Sequence, residues 1–381
     1  MGRIGILAHS VVKGPTSFAN YTRNLIMNLI ELVARESDME LCFFHEKSGF
    51  EPNFLVSWIY DKITPLELLK CKLDVIHIPH LGGASSPSLP FVFNRFKSKL
   101  VVTLHGVAPL VVPSKIYYGD HAFISKMFTY LNVAKWRLLF RKKIDRVITV
   151  SNSEKRNIIR TLRIPEDRIE VIYHGIDHYR FKPLDTISEI KDFLDKKYRI
   201  GNNPFIFHVS SYQPKKNVLA LIKAFHGLSN ELREYKLVVA GKHFERVRNL
   251  AQKLNLERRV VFTGFLSDND LPKFYNVAEV FAFPSFHESF GMPILEAMAC
   301  GCPVITSNVF SMPEIAGDAA LLVNPYSVES IANALYSVLT DEHLRRELRR
   351  KGLKRAKQFS WRKCAKDHLK IYKELCNHGG R

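Results

Sequence analysis

Short apolar runs that alternate with stretches of helical periodicity are the feature that most constrains the fold of this chain. The runs are residues 4–8, 40–44, 75–79, 100–104, 147–150 and 171–173 in the first half, and 205–209, 237–240, 260–263, 280–282, 304–307 and 321–323 in the second. Strands this short and apolar on both faces predict parallel sheets that are covered by helices. The sequence therefore predicts an α/β fold.

The chain has 381 residues, which is more than one hydrophobic core usually supports. We therefore expect two doubly wound α/β domains in series, with a cleft between them. Residues 1–180 form the predicted N-terminal domain, and residues 204–360 form the C-terminal one. The charged stretch between them, residues 181–203, ends in Gly-Asn-Asn and is the predicted linker.

The C-terminal segment, residues 361–381, has the periodicity of an amphipathic helix. Its apolar residues recur at three- and four-residue steps, from Trp361 through Cys364 and Leu369 to Leu375. We expect this helix to pack back on the N-terminal domain.

The formal net charge of +19 predicts a surface that attracts an anionic partner. Nucleic acid, anionic lipid headgroups and phosphate-bearing small molecules all fit that charge. A basic nucleic-acid-binding protein is a distant alternative, because the chain has no fold signature or aromatic-basic RNA motif of that class.

The six cysteines are scattered, without a Cys-x-x-Cys pair or the spacing of a zinc site, and indicate reduced thiols in a cytoplasmic protein. The N-terminus, MGRIGILAHS, has no secretory signal pattern. No apolar stretch approaches the roughly 18 to 20 residues that span a bilayer. Any membrane contact is therefore expected to be peripheral.

Residues 281–307, FAFPSFHESFGMPILEAMACGCPVITS, hold the most informative pattern. Glu288 follows a predicted strand, and Pro293 suits the first position of a helix that Gly301 ends. Glu296 is then expected in the first turn, leaning back toward the helix N-terminus. Two carboxylates and a set of amides would meet in one pocket, which suits the vicinal hydroxyls of a sugar nucleotide. A helix N-terminus with ordinary first-turn acids is the alternative.

A second candidate site lies in FIFHVSSYQPKKNVLALIKAF, which predicts a strand, a turn and a helix that starts near Asn217. Lys215 and Lys216 fall in that turn, where a phosphate would meet an ammonium group and a helix N-terminus. Open α/β sheets bind ligands at this end of their strands. A solvated surface pair is the alternative.

The Asp-Asn-Asp sequence at residues 268–270 has the form of a metal-binding Asp-x-Asp motif. Its context, FTGFLS before and LPKFY after, predicts the start of a helix instead, with Ser267 or Asp268 as the N-cap. No metal site is predicted.

Five segments resemble glycosyltransferase family 4, the retaining group 1 glycosyltransferases, in order and spacing. They are RVITVSNSEKRNII, VIYHGIDHYRFKP, QPKKN, RVVFTGFLSDNDLPKFYNVAEVF and ESFGMPILEAMACGCPVI, which contains the family's two glutamates separated by seven residues. The resemblance covers nearly the whole chain. It implies the GT-B fold, in which two Rossmann-like domains face each other across a cleft.

The resemblance implies that the C-terminal domain binds a nucleotide-sugar donor. Glu296 would bind the donor ribose, and Glu288 would contact the transferred sugar near its reacting end. Lys215 and Lys216 would neutralise the diphosphate. Backbone groups would complete the site, with the amides of Phe290, Gly291 and Met292 on sugar hydroxyls and the distal phosphate, and the backbone of Gly264, Phe265 and Leu266 at the base edge.

In the N-terminal domain, His105 in VVTLHG resembles the family's active-site histidine, although Gly106 replaces the Asp of many relatives. His105, Glu288 and Lys216 are the predicted catalytic residues. Gly14 is a further donor-binding candidate, although VKGPTSF lacks the family's paired glycines. Ser211 stands where many relatives have an Arg, so the diphosphate would depend more on the lysine pair.

The implied reaction is transfer of a sugar to a glycan or lipid-linked acceptor, with retention at the anomeric carbon and without a metal or other cofactor. The segments YHGID and PKKN resemble the mannosyltransferase branch, which favours GDP-mannose over a UDP-sugar. A GT-B sugar-nucleotide epimerase or phosphorylase is the alternative.

Residues 90–100 and 114–143 alternate aromatic with basic side chains, and acids are nearly absent from them. This pattern predicts an acceptor presented at an anionic membrane surface, with the protein peripheral on the inner face of the cell membrane. The alternative is that the aromatic rings pack inward and the basic residues are solvated.

Overall fold

The structure is a computed structural model that describes residues 2–7, 17–35, 38–44, 72–80, 97–118, 137, 143–228 and 230–377. The chain divides into two compact units. The first comprises residues Met1–Val111, Phe123–Gly175 and Trp361–Arg381, and the second comprises Val112–Ala122 and Ile176–Ser360. Each unit is built around its own sheet.

Strands and helices alternate along most of the described residues. The strands are β1 (Gly2–Leu7), β2 (Met39–Phe44), β3 (Val75–Ile78), β4 (Lys99–Leu104), β5 (Arg146–Thr149), β6 (Ile169–Val171), β7 (Phe205–Val209), β8 (Lys236–Ala240), β9 (Val260–Gly264), β10 (Val280–Phe283), β11 (Val304–Ser307) and β12 (Leu321–Val323). The helices are α1 (Ser17–Val33), α2 (Ala108–Val111), α3 (Ser114–Tyr118), α4 (Asn152–Leu162), α5 (Ile187–Tyr198), α6 (Val218–Gly227), α7 (Glu245–Lys253), α8 (Leu271–Val277), α9 (Met292–Ala299), α10 (Met312–Ala316), α11 (Val328–Thr340), α12 (Glu342–Ala356) and α13 (Trp361–Asn377).

The first unit contains a six-stranded parallel sheet with the order β2-β1-β3-β4-β5-β6. Residues on both faces of its inner strands are buried, as Ile4 and Gly5 on β1 and Val101 and Val102 on β4 illustrate. Burial on both faces explains why these strands are continuous apolar runs instead of alternating ones.

The C-terminal helix α13 belongs to the first unit, where it packs against α1. A buried chain of hydrogen bonds joins the two helices to the sheet. The Tyr21 hydroxyl on α1 lies 2.9 Å from His368 Nε2 on α13, and the Tyr372 hydroxyl lies 2.6 Å from His77 Nδ1 on β3. His77 Nε2 in turn lies 2.8 Å from the Thr103 hydroxyl on β4. These polar groups are buried together and satisfy one another.

The second unit contains another six-stranded parallel sheet, with the order β12-β11-β10-β7-β8-β9. From β7 the chain adds strands in one direction through β8 to β9, and then returns to β10 and continues in the other. The strand order therefore reverses between β7 and β10. Open α/β sheets bind ligands at the carboxyl ends of the strands at such a point.

Residues 181–203, the predicted linker, are grouped with the second unit and contain helix α5. The carboxylate of Asp270, which is buried at the start of α8, fixes the position of helix α5. It accepts hydrogen bonds from Lys197 Nζ at 2.7 Å and from the Tyr198 hydroxyl at 2.8 Å, and it also pairs with Lys273 Nζ at 3.0 Å. Burial alone would raise the pKa of Asp270, but these donors outweigh it and hold the pKa well below the usual range.

The predicted α/β fold is confirmed, because every one of the twelve apolar runs overlaps a strand. The sixth strand begins two residues earlier than the run at 171–173, since Ile169 is its buried residue. Within the described part of the chain, no helix combines the length and the apolar character needed to cross a membrane.

Candidate donor site

Two chain segments lie side by side at the point where the second sheet reverses its strand order. The lysine turn, residues 210–217, follows β7, and the acidic loop, residues 284–291, follows β10. Because β7 and β10 pair in parallel, their carboxyl ends lie at the same edge of the sheet. The topology therefore brings the predicted lysines next to Glu288.

The lysine turn is held by Asn217, whose side chain is buried. Pro214–Lys216 forms a single 3₁₀ turn, and Asn217 follows it in the left-handed conformation with φ 57°. The Asn217 side-chain amide donates to the carbonyl of Pro284 at 3.0 Å and to that of Pro325 at 2.7 Å. Asn is one of the few residue types that adopts this conformation readily. Asn217 thus ties the lysine turn to the acidic loop.

Two further hydrogen bonds fix the acidic loop. The Phe286 amide donates to the Lys215 carbonyl at 2.7 Å, which joins the loop to the lysine turn. The buried Ser311 hydroxyl lies 2.7 Å from the Glu288 carbonyl and 3.1 Å from the Phe290 carbonyl. The backbone that carries Glu288 is therefore set by its neighbours instead of by a ligand.

Lys216 and Glu288 form an ion pair, with 2.7 Å between Lys216 Nζ and Glu288 Oε1. The two side chains are only 18% and 12% exposed, so water screens the pair weakly. Burial raises the pKa of Glu288, but the ammonium groups of Lys216 and Lys215 outweigh it and lower the pKa overall. Glu288 is therefore a carboxylate at neutral pH.

Lys215 contacts Tyr117, whose ring centroid lies 5.1 Å from Lys215 Nζ. Tyr117 is on α3, in the short segment Val112–Ala122 that is grouped with the second unit although it lies far earlier in the sequence. A cation near the face of an aromatic ring is attracted to it. No pattern in the sequence predicted that this tyrosine meets the lysine turn.

Helix α9 begins where the acidic loop ends. Gly291 is its N-cap with φ 99°, a conformation that L side chains rarely adopt, and a Cβ there would lie 3.0 Å from Ile294. The amides of Phe290, Gly291 and Met292 therefore lie at the start of the helix. Glu296 is the fifth helical residue and begins the second turn, so the prediction that it lies in the first turn was wrong by one residue, since the helix starts at Met292 and not at Pro293.

Glu296 is partly buried and accepts a hydrogen bond from the Tyr275 hydroxyl on α8, with 3.0 Å between the oxygens. Burial raises the pKa of Glu296 to about 7, although the Tyr275 hydrogen bond and the charge of Arg180 oppose the shift. The two glutamates therefore differ: Glu288 is held charged by lysines, whereas Glu296 titrates near neutral pH.

The loop predicted at the base edge, Gly264–Leu266, ends strand β9. Gly264 has φ 75°, and its carbonyl accepts a hydrogen bond from the Gly241 amide at 2.8 Å. Phe265 is 65% exposed, and Lys242 Nζ lies 5.0 Å from its ring centroid. Leu266 is buried. This loop, too, lies at the carboxyl edge of the second sheet.

The Asp-Asn-Asp sequence forms part of the fold. Helix α8 is assigned from Leu271, so Asp270 stands at its N-cap position, but Asp270 makes no side-chain cap bond. The predicted Ser267 makes the capping contact one turn earlier, because its hydroxyl accepts from the Asp270 amide three residues on. Asp268 pairs with Arg180 Nη2 at 2.9 Å. Within the residues that the structure describes, no group of three or more metal-ligating side chains is found.

In the first unit, His105 follows β4 and is surrounded by aromatic rings. The ring centroids of Tyr21 and His174 lie 4.6 and 5.4 Å from that of His105, and its Nε2 lies 2.9 Å from the Pro79 carbonyl. Burial and the neighbouring His80 lower the pKa of His105 to about 3, and the Pro79 bond opposes this only in part. Because a carbonyl only accepts, the neutral ring carries its proton on Nε2 and leaves Nδ1 as an acceptor.

Glu154 fixes the loop after His105, and sequence reasoning missed it. Its Oε2 accepts a hydrogen bond from the Val107 amide at 3.1 Å, and its own amide donates to the Ser151 hydroxyl. The Ser-x-x-Glu spacing of a capping box was the available signal. Gly106, which replaces an Asp in the family pattern, thus lies in a loop that Glu154 holds instead.

We expect the His105 ring to remain neutral, with its proton on Nε2, between about pH 5 and pH 9, because burial disfavours the imidazolium. NMR of ¹⁵N-histidine-labelled protein tests this, with a His105→Gln variant to assign the signal and the exposed His343 as a reference. A His105 ring that gains a proton near pH 6.5 would contradict the assignment.

The structure therefore brings together Lys215, Lys216, Glu288 and the start of α9 at one edge of the second sheet. His105 belongs to the first unit. Gly14, residues 45–71 and most of the aromatic and basic stretches at 90–100 and 114–143 lie outside the described residues.

Two family models match the chain. The model described as "Glycosyltransferase Family 4" matches residues 32–180, and the one described as "Glycosyl transferases group 1" matches residues 190–355. Together they account for most of both units, and the second match contains the lysine turn and the acidic loop.

Among similar proteins, the serotype-specific mannosyltransferase WbdA of Escherichia coli is 36% identical over 306 residues, which are 78% of this chain and 36% of that protein. The chain therefore spans about a third of the length of that relative. The solved structure of sucrose-phosphate synthase from Thermosynechococcus elongatus aligns over 98% of this chain and 99% of that one, with a TM-score of 0.77 and 19% identity. Anabaena Alr3699/HepE, solved in complex with UDP and glucose, aligns over 98% and 100% with a TM-score of 0.75 and 18% identity.

The similarity to solved structures shows the fold, and the matches to the family models show the family. Two parallel doubly wound sheets in series are the architecture of the GT-B glycosyltransferases that align with this chain. With its N-terminal and C-terminal halves matched by the two models of one family, the chain belongs to glycosyltransferase family 4, the group 1 glycosyltransferases, and has the GT-B fold.

Proposed function

We propose that this glycosyltransferase transfers mannose from GDP-mannose, with retention of the anomeric configuration, to a hydroxyl of a glycan or lipid-linked acceptor. The observation that carries the proposal is the Lys216–Glu288 ion pair beside the start of α9, at the point where the second sheet reverses its strand order. The mannosyltransferase WbdA supports the choice of sugar. A UDP-sugar is the second candidate, because HepE was solved with UDP and glucose.

In this proposal the second unit holds the donor. Lys215 and Lys216 lie against the diphosphate, whose charge they balance, and the amides of Phe290, Gly291 and Met292 meet the distal phosphate and sugar hydroxyls. Glu296 accepts hydrogen bonds from the two ribose hydroxyls. The backbone of Gly264–Leu266 meets the base edge, where discrimination between guanine and uracil would occur.

Catalysis in this proposal is electrostatic. When the bond between the anomeric carbon and the diphosphate breaks, negative charge develops on the leaving oxygen, and Lys216 and the α9 amides stabilise it. The leaving diphosphate then takes the proton of the incoming hydroxyl on the same face of the sugar, so the configuration is retained. Glu288, already charged and paired with Lys216, orients the transferred sugar. No metal or cofactor has a role.

The acceptor is proposed to be presented at an anionic membrane surface on the cytoplasmic side. The net charge of +19 supports this, because balancing one diphosphate does not need a charge of that size. Sedimentation with anionic and neutral vesicles at low and high salt tests it. We expect binding to anionic vesicles that salt weakens; equal recovery in the supernatant under all conditions would contradict it.

The donor assignment is tested by measuring binding of GDP, UDP and ADP, followed by turnover of GDP-mannose and UDP-sugars in the presence of a chelator. We expect GDP to raise the unfolding temperature most, because a ligand at 100 times its Kd adds about 2.7 kcal/mol of stability. Product NMR should show the donor's anomeric configuration. Inversion, or complete loss of turnover in chelator, would refute the proposed mechanism.

A further inference from the structure

Tyr275 on α8 is a fully buried tyrosine whose hydroxyl reaches into the proposed donor site. Its ring packs edge-on against Phe207 and Phe281, with centroids 5.3 and 5.2 Å away. Its hydroxyl donates to Glu296 Oε2 at 3.0 Å. The packing fixes the ring, and the ring fixes the position of the hydroxyl.

Few charges face Glu296 from the elements packed around it. Arg180 is the nearby cation, but its Nη2 donates to the Asp268 carboxylate at 2.9 Å, so part of its charge is already balanced, and its Nε donates to the Asp268 carbonyl at 2.9 Å. The negative charge of Asp268 raises the pKa of Glu296 further. The Cys300 thiol, in the residue that caps the C-terminus of α9, is neutral because burial raises its pKa to about 12. Within the described residues Glu296 forms no ion pair, which leaves Tyr275 as its direct hydrogen-bond donor.

We propose that Tyr275 is a positioning residue of the donor site: it holds one oxygen of Glu296 so that the charged carboxylate meets the two vicinal hydroxyls of the donor ribose. The inference rests on the proposed function, since it assumes that a nucleotide binds here. It adds Tyr275 to the site, a residue that lies 21 positions before Glu296 in the sequence and acts on the donor only through Glu296.

The physical reason lies in what each protonation state of Glu296 offers a ribose. A carboxylate only accepts hydrogen bonds and has capacity for two hydroxyls, whereas the protonated acid has committed one oxygen to its own proton. Burial holds the pKa of Glu296 near 7, and the Tyr275 hydroxyl lowers it by bonding the charged form. Nucleotide affinity should therefore fall as the pH drops through this pKa, and Tyr275 sets the pH at which it falls.

The test compares Tyr275→Phe with the matched control Tyr235→Phe. Tyr235 is also buried in the second unit, and its hydroxyl donates to the Leu339 carbonyl, which a 2.7 Å bond from Arg345 also satisfies. Affinity for GDP and for UDP is measured by calorimetry from pH 5.5 to pH 9.5. The titration of the Glu296 carboxyl is followed separately by ¹³C NMR of glutamate-labelled protein, with Glu296→Gln to assign the signal.

We expect Tyr275→Phe to raise the pKa of Glu296, because a hydrogen bond to the charged form is lost. The acid limb of nucleotide binding, which is the pH range over which affinity falls on acidification, should then shift to higher pH by about one unit. Affinity at pH 7 should then fall by roughly fivefold, because the charged fraction of Glu296 drops from about one half to about one eleventh, and recover toward the wild-type value at high pH. Tyr235→Phe should leave both curves unmoved.

Two outcomes separate this inference from the proposed function. If wild-type protein binds GDP or UDP and Tyr275→Phe keeps the wild-type acid limb and carboxyl titration, the role of Tyr275 is overturned while the donor site stands. If wild-type protein binds neither nucleotide at any pH, the donor site is overturned and this inference with it.

Discussion

Lys216→Ala is expected to weaken donor binding and turnover together, lowering kcat/KM by about 100-fold or more. The ammonium group is proposed to balance the diphosphate, and a hydrogen bond to a charged group contributes about 1.5 to 3 kcal/mol. A second loss adds to this, because Glu288 is 12% exposed and its partner charge disappears with Lys216. Each 1.36 kcal/mol is a factor of ten in rate.

The same substitution should change the ionisation of Glu288. Lys216 is the larger of the two charges that lower the pKa of this carboxyl, and burial, which raises it, remains after the substitution. The pKa of Glu288 should therefore rise, so that turnover of the variant falls further as the pH is lowered. The pH profile of kcat/KM measures this.

Lys223→Ala is the matched control for Lys216→Ala. Lys223 is exposed on α6, within two helical turns of the lysine turn. The Lys223→Ala substitution therefore removes the same charge from the same unit without changing the acidic loop. Circular dichroism should show that both variants keep the fold. If Lys216→Ala has wild-type kinetics, or if Lys223→Ala shows an equal loss, the diphosphate assignment is wrong.

The apolar runs were sufficient to predict both sheets because parallel strands buried on two faces leave a pattern that few other structures share. Their order within each sheet was not readable from the same pattern. The reversal between β7 and β10 depends on which strands pair, and pairing is a tertiary property. The segment 181–203 shows a related difficulty. Its charged sequence resembles that of a linker, whereas the helix α5 that it contains is fixed by Asp270, which is distant in the sequence.

The residues of the candidate site were predictable where a local motif marks them, as for Lys216, Glu288 and Gly291. The residues that hold them in place were not. Tyr275 meets Glu296 from another helix, and Asn217 reaches two proline carbonyls on other segments. Such contacts join residues 21 to 108 positions apart, and a single sequence carries no local signal for them.

Glu288→Gln and Glu296→Gln should have opposite effects on nucleotide affinity and turnover. Glu288→Gln leaves Lys216 without its partner carboxylate, so affinity for GDP or UDP should stay the same or increase. Turnover should nevertheless fall by about 100-fold, because the charge beside the transferred sugar is gone. Glu296→Gln should weaken nucleotide binding by roughly 10- to 100-fold, the value of a charge-assisted hydrogen bond, and change kcat at saturating donor much less.

Glu296→Gln should also remove the acid limb of nucleotide binding near pH 7, since glutamine does not titrate. Calorimetry across pH and steady-state kinetics on the same preparations measure both quantities. Equal losses of nucleotide affinity in the two variants would mean that the two glutamates do not have separate roles.

The double variant Lys216→Ala/Glu288→Gln distinguishes a direct role of Lys216 from one exerted through Glu288. If Lys216 contacts the diphosphate, removing it from the Glu288→Gln background must still weaken GDP or UDP binding by about tenfold or more, because the ammonium group in that background is free to bind the nucleotide. If Lys216 serves only to keep Glu288 charged, the double variant should bind nucleotide as Glu288→Gln does. The first result is expected, because the lysine turn and the start of α9 lie at the same edge of the second sheet, where a diphosphate would meet both.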